Sequence, residues 1–290
     1  MDEVAKHIKE QRPKLSESSV KTYSNILRNL YRDLWKTEFH YKPLIKEQEV
    51  VLDHLKNVKF SIRKTILSAL VCISDGVVQN KYRKLMIEDA SRYNALQREN
   101  KMTDIQKENW VKWKEILETL DKLKTKYYYI FKEKKVSPED RLNLQKYIIL
   151  SCYTSIPPRR SQDFCLMKMK DYTEKDNYYS KGKFYFKIYK TAKFSGEQVE
   201  KVPKSLEILL RKWNTLHDSP YLFTDYYNQP LTSSGMTKIL NSVFDKNISV
   251  NQLRHIYITE KMGPMIEELK NTAEAMGHSV NQQKLYVKND

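Results

Sequence analysis

Apolar side chains recur at helical spacing along most of this chain and alternate in only one stretch, so helices must build the body and one small sheet must suffice. Over residues 16–35 the apolar positions are Val20, Tyr23, Leu27, Leu30, Tyr31 and Leu34, a single helix face. Ser16, Ser18 and Ser19 offer N-cap oxygens ahead of it. A second helix is predicted from about Ser61, with Ile62, Ile66, Leu67, Leu70 and Val71 inward and Asp75-Gly76 at its end. Residues 80–94 read as a further basic helix. Trp110, Trp113, Ile116, Leu117, Leu120 and Leu123 mark another amphipathic one. Ser137-Pro138-Glu139-Asp140 supplies an N-cap, a proline at the first helical position and acids in the first turn. The helix it opens should stop at Pro157-Pro158. Phe184, Phe186 and Ile188 then alternate with Tyr185, Lys187 and Tyr189, a strand period. Ser195-Gly196 reads as the turn and 198–202 as the returning strand. Helical spacing resumes over 204–213, 233–244, 250–262 and 272–276. The polar, weakly periodic stretch 94–104 divides the chain. The expected fold is mainly α: a helical N-terminal domain over 1–98 and an α+β domain over 105–290 with a small antiparallel sheet.

The charge balance narrows the partner. Lys and Arg number 52 against 36 Asp and Glu, a net charge of +16 over 290 residues. Residues 1–100 carry 19 basic and 13 acidic side chains and the rest carry 33 and 23, so the excess belongs to both domains and is not a tail. Two basic bodies on one chain suit a clamp around a polyanion, and nucleic acid is the obvious one. Cys72, Cys152 and Cys165 are odd in number, widely spaced and set among apolar neighbours, which fits a reducing compartment and neither a disulfide framework nor a zinc site. Residues 1–14 are charged without an apolar run, so no secretory signal is expected. No uncharged stretch exceeds 12 residues, well short of the roughly 20 that span a bilayer. The expected location is intracellular, in cytoplasm or nucleus according to where the target nucleic acid lies. Six glycines and no phosphate-cradling fingerprint disfavour nucleotide-binding folds.

Four short segments of the second domain hold residues that can surround a phosphate. They are Pro157-Pro158-Arg159-Arg160-Ser161-Gln162-Asp163, Tyr189-Lys190-Thr191-Ala192-Lys193, Asn251-Gln252-Leu253-Arg254-His255, and Gly277-His278-Ser279 with Tyr286 eight residues after the histidine. Singly, each is ordinary. Paired arginines at a helix junction are usually surface charges, a hairpin lysine is usually solvated, and Tyr286 is one of 20 tyrosines. Their order is the specific signal: Arg-x-x-acid, a hairpin Lys, Leu-Arg-His, then Gly-His followed shortly by Tyr.

In that order the sequence resembles the tyrosine recombinase (phage integrase) family, over about 105–290 and more loosely over the first domain. The Pro-Pro-Arg-Arg variant looks similar to integrases of large DNA viruses and their satellites, and the resemblance implies an integrase of a virus or mobile element. The family's first arginine motif matches Arg160 with Asp163, since the third neighbour of Arg159 is Gln162. Its hairpin lysine matches Lys190, with Lys193 second. Its second arginine matches Arg254 in the box that ends at His255. Its Leu-Gly-His-Ser box matches Met276-Gly277-His278-Ser279, and its nucleophile matches Tyr286. The sequence departs from the pattern at Asn251, where the family usually has His; Asn can bond but cannot take a proton. The His278–Tyr286 gap is also one residue shorter than the common pattern, and a longer tail that docks on a neighbouring subunit is usual after the tyrosine.

The resemblance implies site-specific cleavage and rejoining of double-stranded DNA. Tyr286 would attack phosphorus and leave a 3′-phosphotyrosyl link, with Arg160, Arg254 and His278 stabilising the charge and Lys190 protonating the 5′ oxygen. Asp163, Asn251 and His255 would support these groups. No paired-carboxylate cluster suited to Mg²⁺ is evident, so no metal, other cofactor or ATP is expected. The resemblance also implies a homotetramer on DNA, with no membrane role. Lys21, Arg28, Arg32, Lys64, Lys81, Arg83 and Lys84 of the first domain, with Arg159 and Lys193 of the second, are candidate DNA contacts. Rival readings are a type IB topoisomerase-like enzyme that only relaxes DNA, and a DNA-binding protein that has lost catalysis.

Overall fold

The computed structural model describes residues 3–133, 135–216 and 218–288, and the chain divides into two compact units, Met1–Met102 and Thr103–Asp290. Unit 1 is built from α1 (Glu3–Gln11), α2 (Glu17–Trp35), α3 (Pro43–Lys46), α4 (Gln48–Lys56), α5 (Phe60–Ile73) and α6 (Gly76–Arg98). Ser16 caps α2 by accepting the Ser19 N–H, and the predicted face buries Val20, Leu27, Leu30 and Tyr31. The most apolar helix, α5, buries Leu67, Ala69, Leu70 and Val71 against it. Arg63 on α5 holds Asp89 on α6 through two 2.7 Å bonds, which neutralises a carboxylate that is 3% exposed. The basic helix expected over 80–94 is longer at both ends, running from Gly76 to Arg98. Residues 94–98 are polar but rich in good helix formers (Ala95, Leu96, Gln97, Arg98); weak periodicity there marks a helix exposed on most sides.

Unit 2 opens with α7 (Asp104–Glu108) and α8 (Trp113–Tyr127), followed by a 3₁₀ turn at Tyr128–Lys132. Its central helix, α9 (Pro138–Ser155), is capped by Ser137, which accepts the Asp140 N–H. It buries apolar residues all round, from Leu144 through Tyr153, and stops where Ile156 turns extended before the two prolines. The short α10 (Ser161–Cys165) follows, then β1 (Met167–Lys168), β2 (Asn177–Ser180) and β3 (Lys183–Phe186). After them come α11 (Ala192–Ser195), β4 (Gln198–Lys201), α12 (Lys204–Leu216), α13 (Ser233–Phe244) and α14 (Val250–Ile256). A π-helical turn at Tyr257–Met262, α15 (Gly263–Ala275) and α16 (Val280–Lys284) complete the unit.

The molecule is thus mainly α with a small sheet, as the spacing predicts, but among the described residues that sheet has four strands in the order β1-β2-β3-β4, two more than the predicted hairpin. The sheet corrects three finer expectations. It is antiparallel only from β2 to β4, because β1 pairs with β2 in parallel. Ser195-Gly196 is not a tight hairpin turn: the last rung of the β3–β4 pair joins Phe186 to Gln198, and residues 187–197 form a longer connection containing α11. The tight turn lies instead at Lys181-Gly182, both at positive φ (47° and 73°), between β2 and β3. Ile188 leaves the predicted strand and is 45% exposed. The Asn177 side chain explains the early exit, because its Oδ1 accepts the N–H groups of Lys187 and Ile188, both at 2.7 Å, in place of a ladder partner.

The core carries the site. Phe164 on α10 meets Tyr153, Phe184, Phe186 and Phe223 at ring-centre distances of 5.3–6.3 Å, mostly edge to face. Each such pair contributes about 0.5–1.5 kcal/mol beyond its buried area. Anchoring α10 at Phe164 fixes Arg160, the residue at its N-cap.

Candidate active site

Extended backbone through Pro157-Pro158 delivers Arg159 and Arg160 at the start of α10. Arg254 comes from α14, whose N-cap Ser249 accepts the Gln252 N–H at 3.2 Å. Arg254 Nε donates to the Pro158 carbonyl at 3.2 Å, tying the second arginine segment to the first. Arg160 and Arg254 line two neighbouring clefts. One, of about 260 Å³, is completed by Arg159, Asp163, Tyr189, Thr191, Gln198 and Glu200. The other, of about 220 Å³, is completed by Ser161, Gln162, Ser233 and Asn251.

Asp163 sits beneath these guanidinium groups, 2% exposed. Its Oδ2 accepts from Arg159 Nε at 3.0 Å, and its Oδ1 is buried without a hydrogen-bond partner. Burial raises the carboxyl pKa, and the positive charges of Arg159, Arg160 and Arg254 pull against that rise without reversing it. Sequence spacing pairs Asp163 with Arg160, whereas in the structure its salt bridge goes to Arg159. Tyr153, next to Phe164, is another buried group whose hydroxyl has no partner, and burial raises its pKa well above the ordinary tyrosine range.

Lys190 is exposed and stands between Tyr189 and Thr191, both of which line the larger cleft. Lys193 is exposed on α11 beside Phe194. On α14 the Asn251 amide lies 3.3 Å from His255 Nε2, so it can donate to the ring when Nδ1 carries the proton. His255 is exposed. Gly277 closes α15 at φ +70°, with the His278 N–H on the Ala273 carbonyl and its own N–H on that of Glu274. That cap sets His278, whose Nδ1 lies 3.2 Å from the Ser279 carbonyl and whose Nε2 is buried without a partner. The Tyr286 ring lies 5.5 Å from that of His278, centre to centre, and is 62% exposed. The structure therefore forms two groupings, the arginine clefts and a His278–Tyr286 pair, and the cleft walls include neither member of that pair nor Lys190.

Sequence reasoning did not select Tyr189, Thr191, Gln198, Glu200 or Ser233. Only the β3–β4 register brings Gln198 and Glu200 to the cleft, and no local motif marks them. In unit 1, Lys21 and Arg32 are exposed on α2, and Arg32 also bonds Asn29. Arg28 stacks over Phe39 at 4.9 Å, and the Lys64 ammonium lies over the Tyr93 ring. Lys81 pairs with Glu49, Arg83 bonds Gln79, and Lys84 is exposed. Among the described residues no cluster of three His, Cys, Asp or Glu could hold a metal ion, and no helix is long and apolar enough to cross a membrane.

No family model matches the chain, and no curated protein matches its sequence. Solved structures similar to it include two complexes. One is the XerH site-specific recombinase bound to palindromic difH substrate in a post-cleavage complex, 16% identical, with a TM-score of 0.47, covering 98% of this chain and 90% of that one. The other is XerH bound to difH substrate in a pre-cleavage complex, 15% identical, with a TM-score of 0.43, covering 99% and 91%.

Proposed function

We propose that this chain cleaves and rejoins double-stranded DNA at specific sites by phosphoryl transfer to Tyr286, as tyrosine recombinases do. One observation carries the reading: Arg160 and Arg254, from distant parts of the sequence, line the same clefts, and the connection that bears Lys190 rises from the wall of one of them. Two planar guanidinium forks can bind the non-bridging oxygens of one phosphodiester and hold the charge that grows there during attack. Such preorganised donors are worth roughly 3–4 kcal/mol each in other enzymes, so Arg160→Ala should slow cleavage on the order of 10²–10³-fold. The Tyr286 oxygen forms the bond to phosphorus as the bond to O5′ breaks. The phenolic proton passes to water, and the leaving oxygen takes a proton from the Lys190 ammonium. His278, beside Tyr286, supplies a further donor. Arg160, Arg254 and Lys190 supply the positive charge at the phosphate and His278 a hydrogen-bond donor, so no metal or ATP enters the scheme. Exchange between two duplexes would be carried out by four protomers on DNA.

Covalent trapping tests this. The protein is mixed with a library of nicked duplexes in EDTA and resolved on denaturing gels beside Tyr286→Phe. An adduct in wild type that is missing from Tyr286→Phe is expected, and sequencing the trapped strand gives the site. An adduct that persists in the variant assigns the nucleophile to another tyrosine. Tight binding with no adduct points to a DNA-binding protein without catalysis, a reading that Asn251 favours. Relaxation of supercoils without exchange between duplexes points to the topoisomerase-like reading.

A further inference from the structure

Arg159 is as basic as its neighbour Arg160, yet the protein uses its guanidinium internally. Nε donates to Asp163 Oδ2 at 3.0 Å and Nη1 donates to Gln198 Oε1 at 2.8 Å. The same group lies 3.8 Å from the centre of the Phe186 ring and 5.3 Å from that of Tyr189. Phe186 and Gln198 face each other as the last rung of the β3–β4 pair. One side chain from the Pro157–Arg160 segment thus grips both strands where the 187–197 connection leaves the sheet, and it touches the residue next to Lys190. Other bonds brace the same base. Asn177 Nδ2 donates to the Asp163 and Ile188 carbonyls, Tyr189 Oη donates to the Gly196 carbonyl, and Lys187 pairs with Glu197 at 3.0 Å. Beyond that braced base, Lys190 and Lys193 are exposed and Phe194 is 92% exposed.

We infer that Arg159 is a positioning residue: it holds the Lys190 connection in register with Arg160, so that the proton donor and the phosphate-binding arginines act on one phosphodiester. The inference rests on the proposed role of Lys190 as general acid. Its physical basis is that a misplacement of about 1 Å at a reacting group can cost 10²-fold in rate. A lysine could not replace this arginine, because an ammonium has neither the planar fork that spans Asp163 and Gln198 nor the face that stacks on Phe186.

The leaving group provides the test. Full-length protein is assayed for cleavage of a nicked duplex with the ordinary 5′ oxygen at the scissile phosphate, and of one with sulfur in that bridging position. In both, the Tyr286 Oη–P bond forms. With oxygen, the P–O5′ bond breaks and the oxygen takes the Lys190 proton; with sulfur, the P–S bond breaks and a thiolate leaves without one. Losing the acid should cost about 10²–10⁴-fold on the oxygen substrate. Lys190→Ala and Arg159→Ala are expected to be slow on oxygen and close to wild type on sulfur, whereas Arg160→Ala stays slow on both. Arg159→Lys should behave as Arg159→Ala. Rescue of Lys190→Ala without rescue of Arg159→Ala overturns the inference and makes Arg159 a phosphate contact or a folding residue. Failure of sulfur to rescue Lys190→Ala instead overturns the general-acid reading beneath it. If Arg159→Ala does not melt cooperatively, Gln198→Ala, which removes the 2.8 Å bond alone, carries the same test: a smaller defect rescued by sulfur supports the inference, and an unrescued one overturns it.

Discussion

Arg159 and Arg160 are adjacent and chemically identical, and position alone separates them. Arg160 holds the N-cap of α10 with extended, polyproline-like backbone (φ −66°, ψ 150°), where successive side chains diverge by about 120°. One therefore lies against the sheet and the other lines both clefts. The sequence motif singles out this segment and that of Arg254 but pairs Asp163 with Arg160, whereas the salt bridge goes to Arg159, because the other partners of Arg159, Phe186 and Gln198, depend on sheet register. Buried single residues behave more simply. Cys152 and Cys165 are 0% and 4% exposed, and burial raises both thiols, that of Cys165 to about 12. At pH 8 almost no thiolate exists at either position, and thiolate is the reactive form. Iodoacetamide at pH 8 is therefore expected to leave both unmodified in the native protein and to label all three cysteines after unfolding in guanidinium, read by intact mass. Labelling of Cys165 in the native state would mean that the Phe164 cluster opens readily.

At the scale of elements, the helices were legible where one face was apolar and a cap was present: α2, expected over 16–35, runs from Glu17 to Trp35 behind its Ser16 cap. Strands β1 and β2 were not, being 2 and 4 residues long, and β2 buries a polar Asn177 whose amide serves the neighbouring connection. Residues 250–262 read as one helix because periodicity does not distinguish an α-turn from the π-turn that begins at Tyr257. The end of α15 has a mechanical role that can be tested. Gly277 lies at φ +70° with no atom within 4 Å of where a Cβ would sit, so only backbone conformation opposes a side chain there. Gly277→Ala should cost about 1–2 kcal/mol, the left-handed penalty of an L-residue. Asn, which tolerates that region, should recover much of the loss. The expected readout is faster hydrogen exchange at the last turn of α15 in the Ala variant, with covalent trapping through Tyr286 reduced in parallel, because His278 follows the cap directly. Unchanged exchange in Gly277→Ala would show that the cap does not hold this turn.

The charge of +16 is a property of the whole molecule, and under the proposed function its division between the two units would make binding and chemistry separable. Neutralising DNA phosphates releases counterions, so the logarithm of the binding constant falls with the logarithm of salt by about 0.9 per contact. In unit 1, Lys21, Arg32 and Lys84 are three candidates whose side chains are exposed and carry no acidic partner among the described contacts, alongside Arg83, which bonds Gln79; Lys81 already pairs with Glu49, while Arg28 and Lys64 lie over rings. Replacing these three with Gln should flatten the salt slope by up to roughly 3 on duplex DNA. Because none of them lines the arginine clefts, the variant should still form the Tyr286 adduct at wild-type rate once protein saturates the DNA. Arg160→Ala should do the reverse, changing the slope by at most about 0.9 while cleavage at saturation falls. Titrations between 50 and 200 mM salt beside single-turnover trapping distinguish the two. An unchanged slope in the triple variant would remove these three residues from the interface. A slope change matched by a slower saturated rate would mean that unit 1 contributes to the chemistry as well as to binding.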